Sequence, residues 1–181
     1  AGLGIPVLAL IAGMSPYRLR RLEMFLDPWA DPLGNGYQLV QSQLAFGAGG
    51  LFGSGLGAGQ QKLFYLPEAH TDFILSVIGE ETGLLGVVLV LSCFAVVAVS
   101  TLGIAARGSS SFATLLALGC GLMLWLQAGL NAGVAMGALP TKGTTLPLLS
   151  FGSTSLVASL AAVGLILNVA RPRQRGRTGW R

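Results

Sequence analysis

A chain of 181 residues with 52% hydrophobic and 10% charged side chains, and a mean hydropathy of +0.70, is not a soluble globular domain. Such domains carry about a quarter charged residues. The net charge of +4 does not mark a nucleic-acid binder, because five of the eleven Lys and Arg residues crowd into the final eleven, "RPRQRGRTGWR". One histidine and two cysteines, Cys93 and Cys120, each inside an apolar run, exclude a zinc site and give no reason to expect a disulfide.

In chain order, residues 1–14 ("AGLGIPVLALIAGM") are apolar but too short to span a bilayer alone. The basic "RLRR" follows this run instead of preceding it, so it does not read as a signal peptide. It reads as the end of a transmembrane helix in a chain that begins partway through it. Residues 15–72 form a long polar segment. Leu19, Leu22 and Leu26 recur at helical spacing there and suggest a short interfacial helix. "DPWADPLGNG" then breaks structure through Pro and Gly, and Tyr37, Val40 and Leu44 suggest a second short helix.

"GAGGLFGSGLGAG" (47–59) holds seven glycines. No strand precedes it and Lys62 lacks the Walker arrangement, so it reads as a close-packed or re-entrant segment rather than a phosphate loop. Bare backbone of this kind can approach a helix or a ligand.

Uncharged runs over 82–106, 108–141 and 143–170 each exceed the roughly 20 residues needed to cross about 30 Å of hydrocarbon. Transmembrane helices are expected over 73–106, 112–137 and 150–170, joined by loops at 107–111 and 138–149. The arginines of 171–181 place that tail in the cytoplasm by the positive-inside rule. Counting back puts 138–149 and 15–72 outside, with Arg107 inside, in agreement, and Arg18, Arg20 and Arg21 outside, against the rule.

All seven acids (Glu23, Asp27, Asp31, Glu68, Asp72, Glu80 and Glu81) lie between 23 and 81. Four of them fall in "LPEAHTDFILSVIGEETG", at the mouth of the first complete span. Projection at 100° per residue puts Asp72, Ser76, Gly79, Gly83, Gly86 and Val90 on one stripe, away from Glu80 and Glu81. Asp72 therefore heads a face of small residues that admits another backbone. It is either a functional acid or an ordinary helix cap.

The second polar segment is "GALPTKGTTLPLLSFGSTS" (137–155), with Lys142 as its lone charge. A lysine facing Asp72 suits a salt bridge, or a base beside a phosphate-binding cation. Gln127 and Asn131, one turn apart, read as interhelical hydrogen-bonding residues before ligand contacts.

"YQLVQSQLAFGAGGLFGSGLGAGQQKLFYLPEAHTDFILSVIGEETGLLG" followed by "LPTKGTTLPLLSFGSTS" resembles the SEDS family (shape, elongation, division and sporulation) from about Tyr17 to Pro172. "PTKG" points to its division or sporulation branch. "SFGSTS" stands where the family usually has "SYGGSS", and Phe64 where some relatives carry an acid.

The resemblance implies an all-α polytopic membrane protein, of which this chain is the C-terminal part of a ten-helix bundle with a large exterior loop. It implies a peptidoglycan glycosyltransferase that polymerises lipid II, with inversion, in the bacterial plasma membrane. Implied partners are a class B penicillin-binding transpeptidase and other divisome membrane proteins. Asp72 matches the family's essential acid and is the expected general base. It is also the expected ligand if the family's divalent cation (Mg or Mn) sits there. Lys142 and the adjacent Thr141, with Lys62, Glu68 and His70, are expected at the substrate, and Arg18, Arg20 and Arg21 near its diphosphate. A lipid II flippase, an elongation-type polymerase and a scaffold are the alternatives.

Overall fold

The computed structural model describes residues 25–34, 36–59, 71–108, 110–141 and 143–171, and the statements below concern those residues. They hold a 3₁₀ turn, Pro28–Ala30, and four helices: α1 (Tyr37–Gly49), α2 (Ile74–Ala106), α3 (Ser111–Ala135) and α4 (Ser153–Ala170). No strand occurs among them. α2, α3 and α4, of 33, 25 and 18 residues, are long and apolar enough to cross a membrane. At 1.5 Å per residue even α4 reaches about 27 Å. Their outward faces carry Leu85, Val88, Leu89, Val99, Leu115 and Leu160, all exposed, as expected where lipid or other helices replace water.

α2 and α3 form an antiparallel hairpin closed by a four-residue link, 107–110. Ser110 caps α3 by accepting from the Ala113 N–H at 3.2 Å, and the Thr114 hydroxyl donates to the Ala105 carbonyl at 3.1 Å. Small residues let the two backbones approach. Ala117, Ala128, Ala132 and Ala135 are buried on the α3 face, and a side chain at Gly121 would strike Thr101. The main core joins Phe73, Leu75, Val77, Val87 and Phe94 to Ala128, Ala132, Val134 and Leu146. A second cluster, Leu124, Ala162 and Ile166, fastens α4 to α3.

α1 packs on the start of α2. The buried Ser42 hydroxyl shares a 2.6 Å hydrogen bond with Ser76 and donates to the Ala135 carbonyl at 2.5 Å, so one small residue ties three helices together. The expected helix near Tyr37 is present, but Leu44 is exposed. The buried stripe runs through Leu39, Val40, Ser42 and Ala45 instead.

α2 is not continuous. Gly83 has φ 70° and ψ −165°, a region essentially closed to other residues. The break takes the place of two helical bonds, Glu80 to Leu84 and Glu81 to Leu85. The glycine-rich segment supplies all four partners. Ser54 and Gly55 N–H groups donate to the Glu80 and Glu81 carbonyls at 2.9 and 3.1 Å. Leu84 and Leu85 N–H groups donate to the Gly50 and Leu51 carbonyls at 2.9 and 3.4 Å.

The approach is so close that a Cβ at Gly49 would collide with the Gly79 carbonyl, and one at Gly53 with the Glu81 carbonyl. The expected close-packed role of 47–59 is therefore observed, and its reason is the helix break. The projected stripe of small residues is buried at Ser76, Gly79 and Gly83. Beyond Gly83, Val87 and Phe94 are buried, Val90 packs against them, and Gly86 is half-buried.

Candidate active site

The site is built where two polar segments meet. The first is Thr71–Asp72–Phe73 at the mouth of α2. Phe73 is the N-cap position and makes no side-chain capping bond, and Asp72 stands one residue before it. Asp72 is half-buried, and its Oδ2 lies 3.3 Å from where a Cβ on Gly143 would stand.

The second segment leaves α3 at Met136. Gly137, with φ 74°, turns the chain, and the Ala138 and Leu139 N–H groups both donate to the Gly133 carbonyl, at 2.7 and 3.0 Å. The segment then folds back along α3. The Asn131 side-chain N–H donates to the Thr144 carbonyl, and Gln127, one turn earlier in α3, donates to the Thr145 carbonyl at 3.1 Å. Buried irregular backbone must find its donors and acceptors inside the protein, and these two amides provide donors.

Below them, Thr145 and Ser155 hydroxyls share a 2.8 Å bond, and Ser150 Oγ accepts from the Leu146 N–H at 2.7 Å. Leu146 and Pro147 are fully buried and anchor the segment. Leu148 takes φ 65°, the turn that feeds α4.

Asn131 is the hinge pin of the arrangement. It is fully buried, and its amide also donates to the Asp72 main-chain carbonyl at 2.7 Å. One side chain therefore holds both segments. The expected interhelical bonds of Gln127 and Asn131 are corrected in this respect: their partners are loop carbonyls, not another helix. A signal for this lay in the sequence as two amides one turn apart, immediately before a polar segment whose backbone needs partners.

Thr141 is half-buried in the same segment as Gly143. Lys142, Lys62, Glu68, His70, Arg18, Arg20 and Arg21 lie outside the described residues. Glu80 is buried and Glu81 half-buried. Both side chains stand against Gly59 at the patched break, and among the described residues no three His, Cys, Asp or Glu side chains converge. The described acids of the α2 mouth thus divide into Asp72 at the segment junction and the Glu80 and Glu81 pair at the break.

Set beside known proteins, residues 1–175 match the cell cycle protein family that comprises FtsW, RodA and SpoVE. The chain belongs to this family. It is 51% identical over 172 residues to a protein of Geobacter sp. (strain M18) named probable peptidoglycan glycosyltransferase FtsW, covering 95% of this chain and 47% of that protein. A Nitrosococcus halophilus protein of the same name is 53% identical, over 93% of this chain and 44% of its own length.

Among solved structures, a chain of a peptidoglycan synthase complex that coordinates polymerization and crosslinking superimposes with a TM-score of 0.75. Its identity is 35%, over 96% of this chain and 47% of the other. A variant of the rod shape determining protein RodA from Thermus thermophilus gives a TM-score of 0.57 at 36% identity, over 74% of this chain and 40% of that one. The chain spans less than half the length of the relatives it matches. The SEDS-type all-helical fold expected from the motifs is the one observed.

Proposed function

We propose that this chain forms part of a membrane peptidoglycan glycosyltransferase that polymerises lipid II during bacterial cell division, with Asp72 as general base. The observation that carries the reading is the Asp72 carboxylate seated against Gly143 of the "PTKG" segment, in a chain about half identical to proteins named for that activity.

Joining a sugar hydroxyl to an anomeric carbon with inversion needs one base on the acceptor side. The diphosphate leaving group is already an anion and needs charge stabilisation more than a proton. Asp72 takes the hydroxyl proton. Lys142, with Lys62, Arg18, Arg20 and Arg21, faces the diphosphate, and Thr141, Glu68 and His70 support the substrate. Magnesium sites commonly use one or two carboxylates plus substrate phosphates. As the alternative to the base role, Asp72 meets that minimal demand and would instead hold a Mg or Mn ion, which when bound would neutralise diphosphate charge.

The protein works in the plasma membrane at the division septum, with the 171–181 tail cytoplasmic and the Asp72 mouth outside. Its partners are a class B penicillin-binding transpeptidase and other divisome membrane proteins.

The broken helix α2 also suits a lipid II flippase, since transporters use discontinuous helices to present free backbone ends to a ligand. Here the four groups freed at Gly83 are all bonded to the glycine-rich segment, which favours the polymerase.

The test is lipid II polymerisation by the full-length protein with its transpeptidase partner. Asp72→Asn is expected to lower the rate by about 10²- to 10⁴-fold, the usual worth of a positioned base, while the protein still folds. A wild-type rate in a folded Asp72→Asn protein removes the assignment. Undiminished lipid II translocation beside lost polymerisation separates the two activities.

A further inference from the structure

We infer that Asn131 is the positioning residue for the catalytic carboxylate, acting by holding the Asp72 and "PTKG" segments in register. The inference rests on the polymerase reading above.

Asn131 sits in the middle of α3, 59 residues from Asp72 and 13 from Thr144 along the chain, and its side-chain N–H groups reach the main-chain carbonyls of both. It does not touch the Asp72 carboxylate. It fixes the backbone from which that carboxylate projects, and also the strand of chain whose Gly143 the carboxylate faces.

The residue is fully buried, which is costly for an amide unless its donors are used. Both donations go to the site. Its Oδ1 and the Thr144 Oγ1 are buried without hydrogen-bond partners among the described residues. A side chain chosen only to satisfy the protein interior would not leave an acceptor unmet. What Asn supplies that an apolar residue of similar size cannot is the pair of N–H donors. Gly143 adds the complementary requirement. With φ 63° and Asp72 Oδ2 in its path, this position accepts no side chain without crowding the carboxylate.

A positioning role predicts a particular kinetic signature. A misplacement of about 1 Å can cost on the order of 10²-fold in rate, and it falls on kcat when substrate binding is untouched. In the full-length protein with its partner, Asn131→Asp keeps the shape but removes the donors and sets a carboxylate against two carbonyls. It is expected to lower kcat about 10- to 100-fold with KM for lipid II within about twofold of wild type. Asn131→Gln, which keeps the donors on a longer stem, is expected to recover part of that loss.

Ser42→Ala is the stability control. It removes buried hydrogen bonds to Ser76 and Ala135 without touching either segment, and should leave kcat near wild type.

Hydrogen exchange gives a readout independent of activity. In wild type the 143–146 amides should be protected, and in Asn131→Asp exchange should rise in 71–73 and 143–146 while the α2 and α3 interiors stay unchanged. Free exchange of 143–146 in the wild-type protein overturns the inference, as does an Asn131→Asp protein with wild-type kcat. A rise in KM at constant kcat, or an equal kcat loss in Ser42→Ala, also overturns it. If Asp72→Asn keeps full activity while the exchange result holds, the tether stands and the base assignment is what fails.

Discussion

Two stretches of irregular backbone run through this bundle, and they are secured by different means. The glycine-rich segment after α1 is joined to the broken helix α2 by backbone-to-backbone hydrogen bonds. The segment after α3 is held by side chains, the amides of Gln127 and Asn131 and the hydroxyls of Ser150 and Ser155. The first method requires the absence of side chains, because the two main chains must almost touch. The second requires particular side chains, because the helix donating the bonds has its own N–H groups committed. Substitution should therefore injure the two regions by opposite routes, the first by adding atoms and the second by removing donors.

The sharpest contrast comes from Gly83. Gly83→Val meets both a forbidden dihedral and the Gly53 and Leu51 backbone. Conformational strain of this kind costs about 1–3 kcal/mol before any clash. The expected outcome is loss of most folded protein, read as a collapsed monodisperse peak and a large drop in melting temperature in detergent. A Gly83→Val protein that melts like wild type would mean that α2 is straight.

A smaller effect is expected at Gln127. Gln127→Leu removes the donor to Thr145 and leaves a part-buried carbonyl unmet, at about 1–3 kcal/mol. Thermal melts measure the loss, and increased exchange confined to 144–147 would locate it.

The smallest effect is the control for the first method. Gly119 lies in the interior of α3 with open space around its Cα. Gly119→Ala should leave the melting temperature unchanged or raise it, since Ala is the better helix former by up to about 1 kcal/mol. A fall like that of Gly83→Val would show that glycine matters here by composition rather than by contact.

Much of this arrangement could be read from residue order. Spans of 33, 25 and 18 residues follow from uncharged runs, because hydrocarbon of fixed thickness demands a minimum apolar length. The seven glycines of 47–59 announced a close approach, because glycine in that density serves little else. The polar residues likewise singled out Asp72 and the "PTKG" segment, and the structure brings Asp72 up to Gly143 of that segment.

Other features were hidden from periodicity. A helical projection assumes constant rotation per residue, so it ran through Gly83 without showing the break, although Val90 on the projected stripe does pack on the core beside Val87 and Phe94. Leu44 looked like a core position of α1, but the neighbours available to that helix lie on the Leu39, Val40 and Ser42 side.

By itself, then, the order of residues determined that this is a membrane-spanning helical chain of a particular family, with an acid at one helix mouth and a lysine-bearing polar segment after α3. Length, apolarity and glycine density are local properties, and each constrains the backbone wherever the chain happens to pack. Only the tertiary structure decided that the glycine-rich segment mends the break in α2, and that one amide on α3 grips the carbonyls of two segments 59 and 13 residues away. Hydrogen-bond partners are chosen by proximity in space, and that proximity exists only once the helices have packed.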